Sequence, residues 1–315
     1  MVPGRPALVP RGYLVNVLVV GATGFVGGGV ARHLAASGHR VTGLARTDSA
    51  AETLRRWGVT ALRGDLDEGL ADVARAAGRS DAVVFAAQLD APREGLVVAE
   101  LLDAVAGTGK AFVFTSGSGV LLQRTGGAWS EDSFAEDDPF TVEPLAAERL
   151  AVEDLVRAAA GRRVRAVVVR PGMVWGPGEH GHVSMIYRSV AATGAACYVG
   201  QGLNTYSHVH IDDVARLFGL ALEKGTAGAL YHAVAGETPT RWIAQAVAAD
   251  LDRPTRGLTA EEAVGVWGEF GALILSASSR VRAPRARAEL GWRPVHPDML
   301  AMVGDSGMRA VALAQ

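Results

Sequence analysis

A β-branched run that ends on three evenly spaced glycines constrains this chain more than any other feature. Val15 to Val20 reads as a short, fully buried parallel strand. Gly21-Ala22-Thr23-Gly24-Phe25-Val26-Gly27 follows at once. Phe25, Val26, Val30 and Leu34 then share one helical face, and Gly38 supplies a stop. Each glycine has a task in such a junction. Gly21 permits the sharp turn, Gly24 lets backbone approach a pyrophosphate, and Gly27 lets the helix lie close to the strand. Phosphate oxygens would then meet the positive end of the helix. The expected phosphate-binding set is Gly21, Thr23, Gly24, Phe25, Val26 and Gly27.

The same strand–helix rhythm continues. Strands are expected at Arg40–Leu44, Val59–Leu62, Asp81–Ala86, Ala111–Thr115 and Val164–Val169. Helices are expected at Ala51–Trp57, Leu70–Ala77, Val97–Val105 and Pro144–Ala160, the last with Pro in its first turn. Such alternation predicts a parallel sheet covered on both faces, with right-handed crossovers. The expected class is α/β: a Rossmann doubly wound parallel sheet with a smaller C-terminal substrate lobe. After residue 175 the rhythm loosens into loops, then a helix at Asp212–Lys224, a strand at Ala229–Val234 and a helix at Arg241–Asp250. The expected division is residues 1–12 as an extension or tag remnant, 13–176 as the dinucleotide domain and 177–315 as mainly the substrate lobe. Segments near 205–235 are expected to return to the first domain.

Composition narrows the function classes. The chain has 315 residues, enough for a substantial core, and 49% of them are hydrophobic. A net charge of −2 provides no basic excess to neutralise phosphates, so no nucleic-acid partner is expected. No apolar run reaches the ~18 residues of a membrane span, and no membrane partner is expected either. The single cysteine, Cys197, allows no internal disulfide and suits a reducing, cytoplasmic setting.

The end of the second strand bears on the cofactor. An acidic residue there would hold the free ribose hydroxyls of NAD, but the strand runs Leu44-Ala45-Arg46-Thr47. Arg46 offers a planar guanidinium to a 2′-phosphate, which favours NADP(H). Asp48 keeps NAD(H) open. Asp65, after the third strand, is placed either to meet an adenine amino group or to cap its own loop, and Leu66 follows it.

Several further runs join this picture: Gly64-Asp65-Leu66, Val84-Phe85-Ala86-Ala87, Phe112 to Ser116, Arg170-Pro171-Gly172-Met173-Val174-Trp175-Gly176-Pro177-Gly178, and His208-Val209-His210-Ile211-Asp212-Asp213-Val214-Ala215. With the glycine loop, they make residues 14 to 300 resemble the short-chain dehydrogenase/reductase superfamily, in its extended and atypical branch, the NAD-dependent epimerase/dehydratase group. The resemblance implies that Ala86 and Ala87 line the cofactor. It places Thr115 and Ser116 near the nicotinamide ribose, and Pro171 to Val174 beside the nicotinamide ring. It also implies pairing of helices near 97–105 and 144–160, hence a homodimer.

That superfamily works with a Tyr-x-x-x-Lys pair, whose lysine lowers the tyrosine pKa and whose tyrosine passes a proton to substrate. This chain has two lysines, Lys110 and Lys224, and four residues before them stand Ala106 and Leu220. The best register puts Leu145 and Arg149 at the pair's positions. Leucine has no proton to give; Arg149 can still bind ribose but is too basic for proton transfer. Ser116 and Ser118 flank the position where the partnering serine is expected.

Other residues must therefore carry the proton. The segment after the sixth strand, read as a loop at the carboxyl ends of the strands, brings Glu179, His180, His182, Tyr187 and Arg188. His182 or Tyr187 is the expected surrogate acid. Tyr206, His208 and His210 form a second cluster, with the two histidines on one face of an extended segment. Asp212 reads as a helix N-cap. The spacing of Glu179, His180 and His182 does not match a metal motif, and no metal is expected. Trp175, Tyr187, Tyr198 and Tyr206 suggest an apolar, aromatic pocket for a small-molecule substrate.

The first functional reading is an NADP(H)-dependent oxidoreductase acting on a small, largely apolar carbonyl or hydroxyl compound, with Ser116, Ser118, His182, Tyr187 and His208 as catalytic candidates. A non-redox isomerase, cyclase or dehydratase and an NADP(H)-sensing regulatory protein without turnover are the alternatives.

Overall fold

Strands and helices alternate in the computed structural model, which describes residues 14–178 and 181–313. The first half runs β1 (Asn16–Val20), α1 (Phe25–Ala36), β2 (Arg40–Ala45), α2 (Asp48–Arg56), β3 (Thr60–Arg63), α3 (Leu70–Arg79), β4 (Ala82–Phe85), α4 (Ala91–Val105), β5 (Ala111–Thr115), α5 (Ala147–Ala158) and β6 (Arg165–Pro171). Then come β7 (Met173–Trp175), α6 (Gly181–Thr193), β8 (Ala196–Val199), β9 (Thr205–His210), α7 (Ile211–Lys224) and β10 (Leu230–Ala233). β11 (Gly236–Pro239), α8 (Thr240–Leu251), β12 (Thr255–Leu258), α9 (Ala260–Ser276), α10 (Pro284–Leu290) and α11 (Ser306–Leu313) follow.

Seven strands form one parallel sheet in the order β10-β6-β5-β4-β1-β2-β3. This is the doubly wound arrangement. Both faces are buried because side chains alternate along each strand. Val17 and Val19 of β1 enter one apolar cluster with α1 and α7, while Leu18 and Val20 enter the other with α3, α4 and α5. The chain winds outward from β1 to β3 and then restarts at β4 on the other side of β1. That reversal opens a crevice beyond the carboxyl ends of β1 and β4, where such sheets bind ligands.

The C-terminal elements build two small sheets, β11-β9-β7 and β12-β8, over a third apolar cluster that includes Trp175, Ile186, Tyr187 and Met299. β10 lies within the main sheet beside β6, and α7 packs on α1.

Four elements depart from the sequence expectation. α4 begins at Ala91 instead of Val97: the Asp90 side chain accepts the Arg93 N–H, and Pro92 fits the first turn, where its missing N–H costs nothing. The segment expected as one helix from Pro144 begins and ends in 3-10 turns around α5. His182 to Arg188 lie on α6, not in a loop. The N-cap of α7 is His210, whose Nδ1 accepts the Asp212 N–H at 3.2 Å, so Asp212 belongs to the first turn. Residues 1–12, Glu179 and His180 lie outside the described residues. No helix among those described is long and apolar enough to cross a membrane.

Candidate functional site

A cleft of about 710 Å³ opens at the switch point between β1 and β4. Its walls are Gly21, Thr23, Gly24, Phe25 and Val26 of the glycine loop, Arg46 and Thr47 after β2, Leu66 and Asp67 after β3, Ala86 and Ala87 after β4, and Thr115, Ser116 and Arg149. The glycines are there for space. A Cβ on Gly21 would lie 2.5 Å from the Ala86 carbonyl oxygen, and its φ of +85° disfavours any side chain. A Cβ on Gly27 would lie 2.2 Å from the Gly21 carbonyl oxygen. Gly27 thus holds α1 against the loop from behind and is absent from the cleft wall. Gly24 caps α1 without a side-chain hydrogen bond, and the positive helix end faces the cleft.

Arg46 is exposed on the cleft wall, and Thr47 caps α2 beside it, its Oγ1 accepting the Ala50 N–H. Asp48, the residue that would favour NAD, turns to Arg63 at 3.4 Å and is not a wall residue. Asp65 does not reach the cleft. Its Oδ1 accepts the N–H groups of Asp67, Glu68 and Gly69, and these bonds hold its pKa below the usual carboxylate range. Asp65 is therefore a loop cap, and Asp67 is the carboxylate on the wall. Pro171 is buried in the sheet opposite Ala233, and Val174 pairs with Val209. Neither lines the cleft described here.

Two buried carboxylates set the far end of the cleft. Arg149 donates to Glu94 at 2.9 Å, and its guanidinium lies 5.7 Å from the Phe114 ring centroid. Glu94 is fully buried, and desolvation raises its pKa against the opposing pull of Arg149. Ser116 donates its only hydroxyl proton to Glu153 Oε1 at 2.5 Å. Arg170 grips the same carboxylate through Nε, at 2.9 and 3.0 Å, and through a terminal nitrogen at 2.5 Å. Glu153 and Arg170 are 1% and 3% exposed, so neither charge has water as an alternative partner. With its proton committed to Glu153, Ser116 presents lone pairs to the cleft and acts as an acceptor. Thr115 Oγ1, also on the wall, is buried without a hydrogen-bond partner. Backbone room at the glycines, a cation at each end and an unpartnered hydroxyl together fit a dinucleotide.

The remaining candidates gather around β9. Tyr206, His208 and His210 share one face of that strand, and His182 of α6 meets Tyr206 edge-on at 5.5 Å. Trp175 lies edge-on to His208 at 6.3 Å and to His210 at 4.6 Å. The Tyr206 hydroxyl approaches Ser118 and Ser279 without satisfying Ser118 Oγ. His182 Nε2, His208 Nδ1, Trp175 Nε1 and Ser118 Oγ are all buried without partners. His208 Nε2 meets Thr238 at 3.2 Å. Burial pushes both His182 and His208 down to about 4, so both are neutral at pH 7.

Tyr187 is not part of this group. Its hydroxyl donates to Asp250 at 2.6 Å and accepts the Gly304 N–H at 3.0 Å. Burial and Asp250 push its pKa up to about 12. It is a strut between α6, α8 and the C-terminal segment, and the surrogate-acid role expected of it falls away. The Glu94–Arg149 and Ser116–Glu153–Arg170 contacts were missed in the sequence because they join residues 17 to 55 positions apart. The one local signal was the one-turn spacing of Arg149 and Glu153 on α5.

The model of the NAD dependent epimerase/dehydratase family matches residues 17–235. The chain belongs to this family. It is 32% identical over 296 residues to an uncharacterized protein of Schizosaccharomyces pombe, covering 91% of this chain and 97% of that one. It is 27% identical over 312 residues to a 3-diazoavenalumate denitrifying reductase of a Streptomyces species, covering 90% and 97%. Among solved structures, the UDP-glucose 4-epimerase of Thermus thermophilus in complex with NAD superposes with a TM-score of 0.71 at 24% identity, covering 94% of this chain and 97% of that one. Family membership makes the chain an NAD(P)-dependent enzyme.

Proposed function

We propose that this chain is an NADP(H)-dependent oxidoreductase that interconverts a small, uncharged, largely apolar carbonyl compound and its alcohol. The observation that carries the reading is the cleft itself, with the glycine loop at its centre, Arg46 and Thr47 at one end, and Ser116 and Arg149 at the other. Arg46, at the N-terminus of α2 and with Asp48 turned to Arg63, suits a 2′-phosphate. Relatives named as reductases support redox chemistry.

The cofactor supplies or accepts a hydride when bound; the chain orients the reactants and moves one proton. Arg149, steadied by Glu94, holds the ribose end. Ser116, fixed as an acceptor by Glu153 and Arg170, takes a hydrogen bond from a cofactor hydroxyl or amide. The substrate oxygen is met by Ser118, a buried hydroxyl beside that of Tyr206, with the neutral His182 behind them. Burial raises the Tyr206 pKa, so its hydroxyl is protonated at neutral pH; in reduction Ser118 would give its proton to the substrate oxygen, take one from Tyr206, and Tyr206 would regain one from solvent. Neutral histidines also leave this side without the positive charge that a diphosphate would need.

The test is NADPH consumption with a panel of uncharged ketones and aldehydes. Ser118→Ala should lose about 10²- to 10⁴-fold in kcat with NADPH affinity retained. Turnover of a family substrate with no net change in cofactor absorbance would favour an isomerase or dehydratase instead. Nucleotide binding without turnover would favour a sensor.

A further inference from the structure

We propose that His210, Asp212 and His296 form a binding site for one transition-metal dication of the zinc, nickel or cobalt type. A ligand atom from each of the three residues lies within 4.8 Å of the other two. His210 ends β9, Asp212 is in the first turn of α7, and His296 comes from the C-terminal segment. Their imidazole rings sit 4.3 Å apart between centroids.

Two of the three ligands are already held. His210 is wedged against Trp175 at 4.6 Å. His296 is held through its neighbour Asp213, a fully buried carboxylate that accepts the N–H groups of Val295 and His296 at 2.9 to 3.0 Å. His296 Nδ1 also meets Asp213 Oδ2, at 3.2 Å. A carboxylate only accepts, so Nδ1 carries the proton and the Nε2 lone pair is free. A histidine whose far nitrogen donates to a carboxylate is the usual arrangement behind a metal ligand.

His210 offers the opposite nitrogen. Its Nδ1 accepts the Asp212 N–H, so the lone pair is on Nδ1, 3.6 Å from Asp212 Oδ2. An ion about 2.1 Å from each atom would bridge that gap at an angle of about 120°, near tetrahedral geometry. The coordination bond replaces the cap bond, and the Asp212 amide turns to water in the exposed first turn. Asp212 and His296 side chains are 70% and 42% exposed, so the ion can enter and keep a water as its fourth ligand. Two imidazoles and one carboxylate suit zinc, nickel or cobalt better than magnesium or calcium, which prefer oxygen. The ion would clip the segment after α10 onto the junction of β9 and α7, which also positions Trp175 and His208.

The test uses chelator-treated protein titrated with Zn²⁺ and Ni²⁺ by calorimetry, with thermal unfolding in the same metals and in Mg²⁺. The expected result is one Zn²⁺ per chain, a rise in Tm with Zn²⁺ or Ni²⁺ and none with Mg²⁺. Asp212→Asn and His296→Gln should each weaken Zn²⁺ at least tenfold, while NADPH affinity in both variants stays at the wild-type value and reports intact folding. No saturable binding, or binding that survives both substitutions unchanged, would overturn the site.

Discussion

The cofactor cleft and the β9 cluster use polar groups in opposite ways. In the cleft, backbone, exposed Arg46 and half-buried Arg149 face open space, and the buried charges behind them are paired. Around β9, neutral polar groups are packed out of water with several atoms unsatisfied. A phosphate-binding loop needs geometry that a short stretch of chain can specify. A substrate site needs groups from several elements, and it retains unpartnered atoms that a ligand can satisfy.

Glu153 holds the Ser116 end of the cleft against β6, and removing it should have the largest effect. Glu153→Ala leaves Arg170 buried without its carboxylate and frees the Ser116 hydroxyl. A loss of about 3–5 kcal/mol in urea-determined stability is expected; a loss below ~1 kcal/mol would mean that Arg170 finds another partner and that the cleft end is not held by this pair.

Between pH 6.5 and 4, acid should act chiefly around β9 and β10, where three histidines are deeply buried. His182, His208 and His232 have folded pKa values pushed down to about 4 by burial, from an ordinary 6.5. Below pH 6.5 the unfolded chain binds protons that the folded chain refuses. Stability is therefore full above pH 6.5 and falls as pH drops toward 4, by on the order of 2–3 kcal/mol for each histidine. His182→Gln should reduce the slope of stability against pH by about one proton over that window. An unchanged slope would show that His182 titrates alike in both states.

On the cleft side, Gly21→Val places a side chain against the Ala86 carbonyl at a positive φ. NADPH affinity should fall at least ~100-fold, about 2.7 kcal/mol, measured by calorimetry. The acid-unfolding profile of the histidines should keep its shape in that variant. If it shifts as well, the two regions are coupled more tightly than their separate packing indicates.

The contrast also explains what was legible in the sequence. β1, the glycine loop and the place of Arg46 on the cleft wall were readable because they depend on neighbours within a few residues. The parallel sheet was readable from alternating runs of Val, Leu and Phe. Asp65 stayed ambiguous because a residue after a strand can face a ligand or its own loop, and three backbone N–H groups decide for the loop. The start of α4 was missed because the apolar run begins only at Leu96, while the first turn is set by the Asp90 cap and Pro92. α6 was hidden by the glycines around Glu179 to His182, and with it the burial of Tyr187 against Asp250. Glu94, Glu153 and Arg170 acquire their roles only when distant helices and strands meet.

The proposed function rests on selection of a 2′-phosphorylated dinucleotide by Arg46. The direct measurement is a calorimetric titration of wild type and Arg46→Ala with NADPH and NADH at one ionic strength. NADPH should bind at least ~10-fold tighter than NADH to the wild type, about 1.4 kcal/mol, and the preference should be lost in Arg46→Ala with NADH affinity unchanged. Equal affinity for the two nucleotides, or a preference that survives the substitution, would contradict it.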